Sequence, residues 1–407
     1  MRRRRVGVLL AVLLGALAFC ATAGAAPKHR SPGPQVLAKS WALIDGRTGE
    51  VLTSHAGDER LLIASTTKLM TAYVAMKDLP LGKIVRAQPY EYEFGESVMG
   101  LVPGQKISVR DLLYGLILLS AGDAANTLAI DAAGSVKKFV AQMNRHAAAL
   151  GLTNTHYANP VGLDQKRNYS SALDLASLTE ELERIPAFAK IADSREAVLR
   201  SVHPHRRIKS INELLEMAPW VTGVKTGHTW KAGYVLVGSG RKGGVQLISV
   251  AIDAPTDETR FSDNLELLEW GFRQYHRGVA LRQGKELASP SIKYSGGELP
   301  LRTGQALTVR MRKGQKVEVE VDAPHQVTGP IRRGARLGTA TVSVDGLRAG
   351  AVPLVASRSV PAASNFDKAR GFADEHPVTL VVIACAILIA AILLGRFCRR
   401  VRRGKRV

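Results

Sequence analysis

An uncharged run of eighteen residues, Val378 to Gly395, lies close to the C-terminus. A helix of that length is just long enough to cross the hydrocarbon core of a bilayer. The basic segment 396–407 follows directly, and an excess of Lys and Arg marks the cytoplasmic end of a membrane span. A buried core helix is the alternative, but the run lacks the polar stripe of such a helix. We therefore predict one transmembrane helix over 378–395 and a basic cytoplasmic tail over 396–407.

The N-terminus has the three regions of a secretory signal peptide. Arg2 to Arg5 form a basic start, Val6 to Phe19 are apolar, and the small residues Ala23-Gly24-Ala25 follow. This order predicts a signal peptide over 1–26, with cleavage near Ala25 or Ala26. Everything between the signal peptide and the membrane span is then expected outside the cytoplasm.

The positive charge of the chain is concentrated at its ends. The formal net charge is +21, a value that invites comparison with nucleic-acid-binding proteins. About half of the excess lies in the arginines after Met1 and in the segment 396–407. The other basic residues are scattered and lack the interleaved aromatic residues of a single-strand binding surface. The composition therefore argues against nucleic acid as a partner.

Cysteine is also confined to the ends of the chain. The three cysteines are Cys20 in the predicted signal peptide, Cys385 in the predicted span and Cys398 in the tail. The exported segment contains none, which excludes a disulfide scaffold, a thiol nucleophile and a cysteine metal site there.

The short sequence Ser65-Thr66-Thr67-Lys68 opens an apolar stretch. The apolar residues between positions 69 and 76 recur at helical spacing, which predicts a buried helix beginning near Ser65. Residues i and i+3 share one helix face, so the Lys68 amine can lie beside the Ser65 hydroxyl. The free N–H groups at a helix N-terminus suit an oxyanion. The turn thus offers a nucleophile and a base, although the pattern also arises by chance and Ser65 could simply cap the helix.

The exported segment divides into two textures. Over 37–276 predicted strands and helices alternate, and the hairpin of 234–237 and 245–252 is apolar on successive residues, which predicts a sheet buried on both faces. Over 278–359 short alternating strands predict a small all-β domain. Residues 360–377 are polar and predict an irregular linker to the membrane.

Two further motifs follow the Ser65 turn. A helix predicted over 109–119 ends at Ser120, and Asp123 is expected to cap the next helix. Lys225-Thr226-Gly227 opens a predicted strand. Ser-x-x-Lys, a Ser-x-Asn type of element and Lys-Thr-Gly form the signature of penicillin-binding proteins and related β-lactamases.

Residues 37 to 358 resemble the low-molecular-weight penicillin-binding proteins that act as D-alanyl-D-alanine carboxypeptidases. Besides the three motifs, the resemblance rests on Gly100-Leu-Val-Pro-Gly104, Asp111-Leu-Leu-Tyr-Gly115, Asn159-Pro-Val-Gly-Leu-Asp164, Lys225-Thr-Gly-His-Thr229, Ala232-Gly-Tyr234 and Leu267-Leu-Glu-Trp-Gly-Phe272. It implies a mixed α/β (α+β) catalytic domain of the serine β-lactamase and transpeptidase type over 37–276, with helices packed on an antiparallel sheet. A small all-β domain over 278–359 and one C-terminal transmembrane helix would follow.

The resemblance also implies catalytic roles. Ser65 would attack the carbonyl of the penultimate D-Ala, and Lys68 would be its general base, kept partly neutral by burial and by a second cation. Lys225 would be that second cation. Ser120 would relay a proton between Lys68 and the leaving amine. Water would then hydrolyse the acyl-enzyme, so the reaction requires no metal and no cofactor.

Substrate binding is assigned in the same way to the strand that Lys225 opens. Thr226, helped by Arg260, would bind the terminal carboxylate of the substrate, although Arg260 could also be a solvated helix residue. The backbone N–H groups of Ser65 and His228 would form the oxyanion hole, with Gly227 in the same substrate-binding stretch.

One position departs from the family pattern. The second motif normally carries Asn two places after its serine, where the amide touches the substrate and the catalytic lysine, but this chain has Gly122. Glycine removes those hydrogen bonds, each contributing on the order of 1 kcal/mol. Either Asn126 or a water replaces them, or activity is reduced.

Three functions follow from these observations. The first is a serine carboxypeptidase that trims the terminal D-Ala from peptidoglycan pentapeptide stems at the outer face of a bacterial cell membrane, with β-lactam antibiotics as acylating inhibitors. The second is a β-lactamase-like hydrolase, for which the region 150–185 offers no convincing carboxylate to activate the deacylating water. The third is a catalytically impaired wall-binding or scaffolding homologue, suggested by Gly122. The intact serine, lysine and threonine of the motifs favour the carboxypeptidase.

Overall fold

The computed structural model describes residues 33–294 and 296–403. The predicted signal peptide over 1–26 lies outside the described residues. The helices are α1 (Lys68–Asp78), α2 (Val109–Leu118), α3 (Gly122–Ala133), α4 (Val136–Ala149), α5 (Ala172–Glu183), α6 (Pro186–Ala192), α7 (Leu214–Met217), α8 (Asp257–Arg273), α9 (Asn365–Glu375) and α10 (Pro377–Arg403). The strands up to the end of the main sheet are β1 (Ser40–Asp45), β2 (Val51–His55), β3 (Ile84–Arg86), β4 (Lys106–Ser108), β5 (Glu196–Leu199), β6 (Arg206–Lys209), β7 (Val221–Thr229), β8 (Gly233–Lys242) and β9 (Val245–Ala254). The later strands are β10 (His276–Leu281), β11 (Glu286–Ala288), β12 (Ser291–Ile292), β13 (Leu301–Thr303), β14 (Leu307–Met311), β15 (Val317–Asp322), β16 (Gln326–Val327), β17 (Arg336–Val344) and β18 (Leu347–Ala356).

An antiparallel five-stranded sheet in the order β2-β1-β9-β8-β7 carries the first part of the chain. Its central hairpin is buried on both faces, as the unbroken apolar runs predict. Leu236 and Leu247 pack with α8 on one face, whereas Val237 and Val250 pack with the core of the other helices on the opposite face. Successive strand residues point to opposite faces, so a strand covered on both sides must be apolar throughout.

The helix that carries Lys68 lies inside the core that the helices form on one face of the main sheet. The residues of α1 from Lys68 to Ala75 are buried, and their neighbours include apolar residues of α2, α3, α4 and α5. A helix enclosed on all sides holds its side chains in fixed rotamers. The first turn of α1 is therefore a rigid platform for the site.

The second part of the chain is all-β. A five-stranded sheet in the order β11-β13-β18-β17-β15 is accompanied by the antiparallel pair β10-β14 and the parallel pair β12-β16. These strands enclose a separate core that includes Leu301, Val342 and Leu354. The predicted fold class is confirmed: a mixed α/β domain with an antiparallel sheet, a smaller all-β domain and an apolar C-terminal helix.

The segment before the membrane run is more ordered than its composition predicts. Residues 360–377 were expected to be irregular, but α9 forms over Asn365–Glu375. Ser364 and Asp367 hold its start, since the Asp367 N–H donates to the Ser364 hydroxyl and the Ser364 N–H donates to the Asp367 carboxylate. This reciprocal cap stabilises α9, a helix that the polar composition of the segment did not predict.

The apolar run forms the greater part of α10. Over the described residues, Pro377–Arg396 is the one helical stretch that is long and apolar enough to cross a membrane. Its apolar side chains, such as Ile387 and Leu394, are exposed, which is the arrangement that a lipid environment would cover.

Candidate active site

Ser65 lies in a tight 3₁₀ turn, Ala64–Thr67, that leads directly into α1. The α-helix itself begins at Lys68, so the predicted start near Ser65 is right for the turn and three residues early for the α-helix. Ala64 has a φ of 46°, in the left-handed region that non-glycine residues rarely occupy. The Thr66 N–H and hydroxyl both donate to the Ile63 carbonyl, at 3.1 and 2.6 Å. These bonds hold a strained turn beside the candidate nucleophile.

Lys68 is the direct partner of Ser65. Its Nζ lies 2.9 Å from the Ser65 hydroxyl and 2.5 Å from the Val161 carbonyl oxygen. The side chain is fully enclosed, and burial lowers the pKa of Lys68 to about 8, against the opposing pull of the Glu96 and Asp123 carboxylates. A buried amine that gives up its proton near pH 8 is suited to take the proton of a serine hydroxyl.

The loop after α4 aims the Val161 carbonyl at Lys68. The Asn159 side-chain oxygen accepts hydrogen bonds from the backbone N–H groups of Val161, Gly162 and Leu163, which winds the loop into a compact turn. Gly162 has a φ of 94°, and a Cβ built there would lie 2.0 Å from the Ala64 carbonyl oxygen. Only glycine allows this loop to press against the Ser65 turn. The Asn159 motif was part of the resemblance, but its contact with Lys68 is visible only in the structure.

Strand β7 closes the other side of the Ser65 turn. A Cβ built on Gly227 would lie 3.1 Å from the Ser65 backbone nitrogen, so this strand passes directly over the nucleophile. Lys225 is fully buried and donates to the Thr226 carbonyl at 2.8 Å. Burial, followed by the positive charges of Lys68 and Arg260, lowers the pKa of Lys225 well below its ordinary value. A buried amine beside other positive charges thus loses its proton more easily than an exposed lysine does.

Arg260 is part of this side and is not a solvated helix residue. Its side chain is buried, its guanidinium donates to the Gly227 carbonyl at 3.0 Å, and it also pairs with Asp257 in the first turn of α8. The guanidinium lies over the ring of Tyr234, 5.4 Å from the centroid. Arg260 therefore holds β7 through the Gly227 carbonyl, and it adds positive charge beside Lys225.

The other residues predicted on β7 are placed as follows. Thr226 is buried, whereas the His228 side chain is exposed and stacks on Tyr234 with ring centroids 4.2 Å apart. The His228 imidazole is thus engaged with Tyr234, and the oxyanion role expected for the His228 backbone N–H stays a prediction.

Ser120 is buried between α2 and α3. It has a φ of 61°, so the chain turns sharply there. Asp123 is not the helix cap that the sequence predicted, because α3 begins at Gly122 with Ala121 as its cap residue. The Asp123 carboxylate accepts instead from the N–H groups of Met99 and Leu101, both at 2.9 Å. Asp123 thus ties a distant loop to the start of α3, and the proton-relay role of Ser120 stays a prediction.

The space beside Gly122 is filled by the side chains of two residues that the sequence did not indicate. A Cβ built on Gly122 would lie 2.1 Å from Oε1 of Glu96 and 2.9 Å from the Tyr90 hydroxyl. Asn126, which was one candidate to replace the missing amide, donates to the Pro89 carbonyl at 3.1 Å. No pattern in the sequence marks Glu96 or Tyr90, since nothing local distinguishes them from the neighbouring glutamates and aromatic residues.

Comparison with known proteins agrees with this fold. The family profile described as D-alanyl-D-alanine carboxypeptidase matches residues 26–256, and the profile described as penicillin-binding protein 5, C-terminal domain, matches residues 280–362. The chain is 34% identical over 372 residues to the D-alanyl-D-alanine carboxypeptidase DacC of Escherichia coli, which covers 87% of this chain and 92% of that protein. It is 33% identical over 319 residues to DacF of Bacillus subtilis, covering 76% and 82%. Penicillin-binding protein 5 from Haemophilus influenzae matches in structure with a TM-score of 0.57 and 29% identity, covering 81% of this chain and 99% of that one.

Fold and motif order together define a penicillin-binding protein of low molecular weight. The chain belongs to the D-alanyl-D-alanine carboxypeptidase family, and it is a hydrolase of that class. The resemblance found in the motifs is thereby confirmed, and a β-lactamase is set aside.

Proposed function

We propose that this protein is a membrane-anchored serine carboxypeptidase that removes the terminal D-alanine from peptidoglycan pentapeptide stems through an acyl-enzyme on Ser65. The observation that carries the proposal is the 2.9 Å contact between the Lys68 amine and the Ser65 hydroxyl, beneath a strand that carries a second buried lysine. β-Lactam antibiotics would acylate the same serine. The apolar part of α10 anchors the protein, with the segment 396–407 in the cytoplasm and the catalytic domain outside.

Acylation uses the residues of the Ser65 turn. Neutral Lys68 takes the hydroxyl proton while Ser65 Oγ bonds to the carbonyl carbon of the penultimate D-Ala, and the carbonyl oxygen gains the negative charge. The backbone N–H groups of Ser65 and His228 stabilise that oxyanion, an effect that typically contributes about 3 kcal/mol per donor. Thr226 binds the terminal carboxylate of the substrate in the positive field of Lys225 and Arg260.

Collapse of the tetrahedral intermediate breaks the bond between carbonyl carbon and amide nitrogen. Ser120 passes the proton from Lys68 to the leaving amine, so free D-alanine departs. A water molecule then attacks the ester on Ser65, gives its proton to Lys68, and releases the shortened stem peptide while the Ser65 hydroxyl is restored. Every proton that leaves a nucleophile in this scheme is returned to a leaving group.

The catalytically impaired alternative draws its support from Gly122 alone. The place beside Gly122 is occupied by the Glu96 carboxylate and the Tyr90 hydroxyl. Polar groups therefore fill the space where the family's asparagine would lie. This observation favours an active enzyme.

The test is release of D-alanine from a peptide ending in D-Ala-D-Ala by the full-length protein in detergent. We expect release by the wild type and a loss of at least about 10³-fold in Ser65→Ala, because the nucleophile and its base act as a unit. Mass spectrometry after incubation with benzylpenicillin should place the adduct on Ser65. A folded wild-type protein that releases no D-alanine would overturn the proposal and favour the wall-binding homologue.

A further inference from the structure

The space beside Gly122 is closed by side chains from a loop far upstream. Oε1 of Glu96 accepts a hydrogen bond from the Tyr90 hydroxyl, and both atoms lie where a side chain at position 122 would begin. An asparagine at position 122 would force the Glu96 carboxylate out of its present place beside Tyr90, because a Cβ at position 122 would lie 2.1 Å from Oε1 of Glu96. Gly122 and Glu96 are sterically matched.

The loop is held in this position by contacts that do not involve Glu96 itself. The Gly122 N–H donates to the Ser97 carbonyl at 2.8 Å. The Asp123 carboxylate, from the first turn of α3, accepts from Met99 and Leu101. The loop is thus tied to the start of α3 at Ser97, Met99 and Leu101, and Glu96 directly precedes the first of these ties.

Tyr90 fixes the orientation of the carboxylate. Burial, and then the hydrogen bond to Glu96, raise the pKa of Tyr90 above its ordinary value, so its hydroxyl keeps the proton and donates. The second oxygen of Glu96 accepts from the Glu93 N–H at 3.3 Å. A carboxylate with both oxygens engaged is an acceptor held in one orientation.

We propose that Glu96, oriented by Tyr90, is a positioning residue that takes the place of the second-motif asparagine and sets the charge balance of the catalytic lysine, with Gly122 as its steric partner. This inference rests on the proposed function, since it assigns Glu96 to that same reaction. An amide both donates and accepts, whereas a carboxylate only accepts and carries charge. The replacement therefore changes the electrostatics of the site as well as its hydrogen bonds.

The charged groups that act on Lys68 come from several elements. Glu96 and Asp123 favour its protonated form, and the Val161 carbonyl accepts from it. Lys225 on β7 is the nearby cation, and the positive charges of Lys68 and of Arg260 on α8 both lower the pKa of Lys225. Removing the Glu96 charge takes away one of the carboxylates that favour the protonated form, so Lys68 gives up its proton more easily.

The first experiment measures this charge. The rate constant for acylation of Ser65 by benzylpenicillin is determined from pH 5.5 to 9.5 for the full-length protein and for Glu96→Gln, which keeps the size of the side chain. We expect the acid limb of the profile to move to lower pH by about 0.5 unit or more, as loss of one nearby carboxylate should cause. Glu91→Gln, an exposed glutamate on the same loop, is the control and should leave the limb in place.

The second experiment measures the steric match and needs no activity. Thermal unfolding midpoints are compared for Gly122→Asn, Glu96→Ala and the double variant. We expect Gly122→Asn alone to lower the midpoint by about 4 °C or more, as overpacking does in a domain of this size. In the Glu96→Ala background, Gly122→Asn should lower the unfolding midpoint by less than half of that amount.

Each result decides a separate statement. An acid limb that does not move in Glu96→Gln, or additive midpoints in the double variant, would overturn the inference about Glu96. A wild type that releases no D-alanine would overturn the proposed function, while benzylpenicillin acylation and the unfolding midpoints would still report on Glu96. We also expect the double variant Glu96→Ala, Gly122→Asn to be acylated faster than the single variant Gly122→Asn. This result would show that an asparagine at position 122 can function once the Glu96 side chain is removed.

Discussion

The two sides of the Ser65 turn are built on different principles. On the β7 side, Lys225, Thr226, Gly227 and His228 are consecutive in sequence, and the strand brings Gly227 against the Ser65 turn. On the α3 side, the residue nearest Gly122 is Glu96, which comes from a loop well before α2 and is held by its own contacts. A side built by one strand is therefore recognisable as a motif, whereas a side completed by a distant loop can change its chemistry while the motif stays the same.

The largest effect should come from the β7 side. We expect Lys225→Met to lower kcat/KM for D-alanine release by on the order of 10²-fold or more, since a preorganised charge in an enclosed site contributes that much to catalysis. Lys231→Met, an exposed lysine six residues further on, should retain wild-type activity. Circular dichroism must show that both variants fold. Retention of more than a tenth of the activity by Lys225→Met would mean that the β7 side acts through its backbone alone.

The pH dependence of acylation tests Lys68, which lies between the two sides, as the base. Burial lowers the pKa of Lys68 to about 8, and only the neutral amine can accept the Ser65 proton. Acylation should therefore accelerate roughly tenfold per pH unit between pH 6 and pH 7 and level off above about pH 8. The measurement is the second-order rate constant with benzylpenicillin. A rate that is constant from pH 6 to 8 would exclude Lys68 as the titrating base.

The Asn159 loop supports the turn from below, and Gly162 is its point of contact. We expect Gly162→Ala to destabilise the protein by about 3 kcal/mol or more, since it adds a backbone clash to the left-handed strain. Gly134, at the end of α3, has a φ of 77° but nothing within 4 Å of a built Cβ. Gly134→Ala should therefore cost only the strain, about 1 kcal/mol. Equal losses in chemical denaturation would show that contact with Ala64 does not matter.

The smallest effect should come from the contact between the two domains. Arg312 of the β domain pairs with Glu50 and lies over the ring of Tyr275, far in sequence from either side of the Ser65 turn. We expect Arg312→Met to cost about 1 kcal/mol at most, as a partly exposed ion pair does. Release of D-alanine from a short peptide should stay within about twofold of wild type. Lys313→Met, an exposed neighbour, is the control, and a larger loss of activity in Arg312→Met would link the β domain to catalysis.

Much of the fold was predictable from the sequence because it depends on local patterns. The apolar hairpin of β8 and β9, the alternating strands after residue 278 and the long apolar helix each carry a periodicity that burial imposes. Helix α9 was missed because its polar composition outweighed the short capping pattern of Ser364 and Asp367. Asp123 was misplaced because a carboxylate at a helix start can serve the helix or a neighbouring loop, and the sequence does not distinguish the two.

The family, the order of the motifs and the candidate nucleophile and base are all legible in the sequence, because they depend on residue identity and on spacing within one helix turn or one strand. Three contacts emerge only when the chain is folded: Arg260 is buried against Gly227, the Val161 carbonyl accepts from Lys68, and Glu96 and Tyr90 occupy the space beside Gly122. Each of these contacts joins residues at least 26 positions apart, and packing, not local pattern, selects the partner.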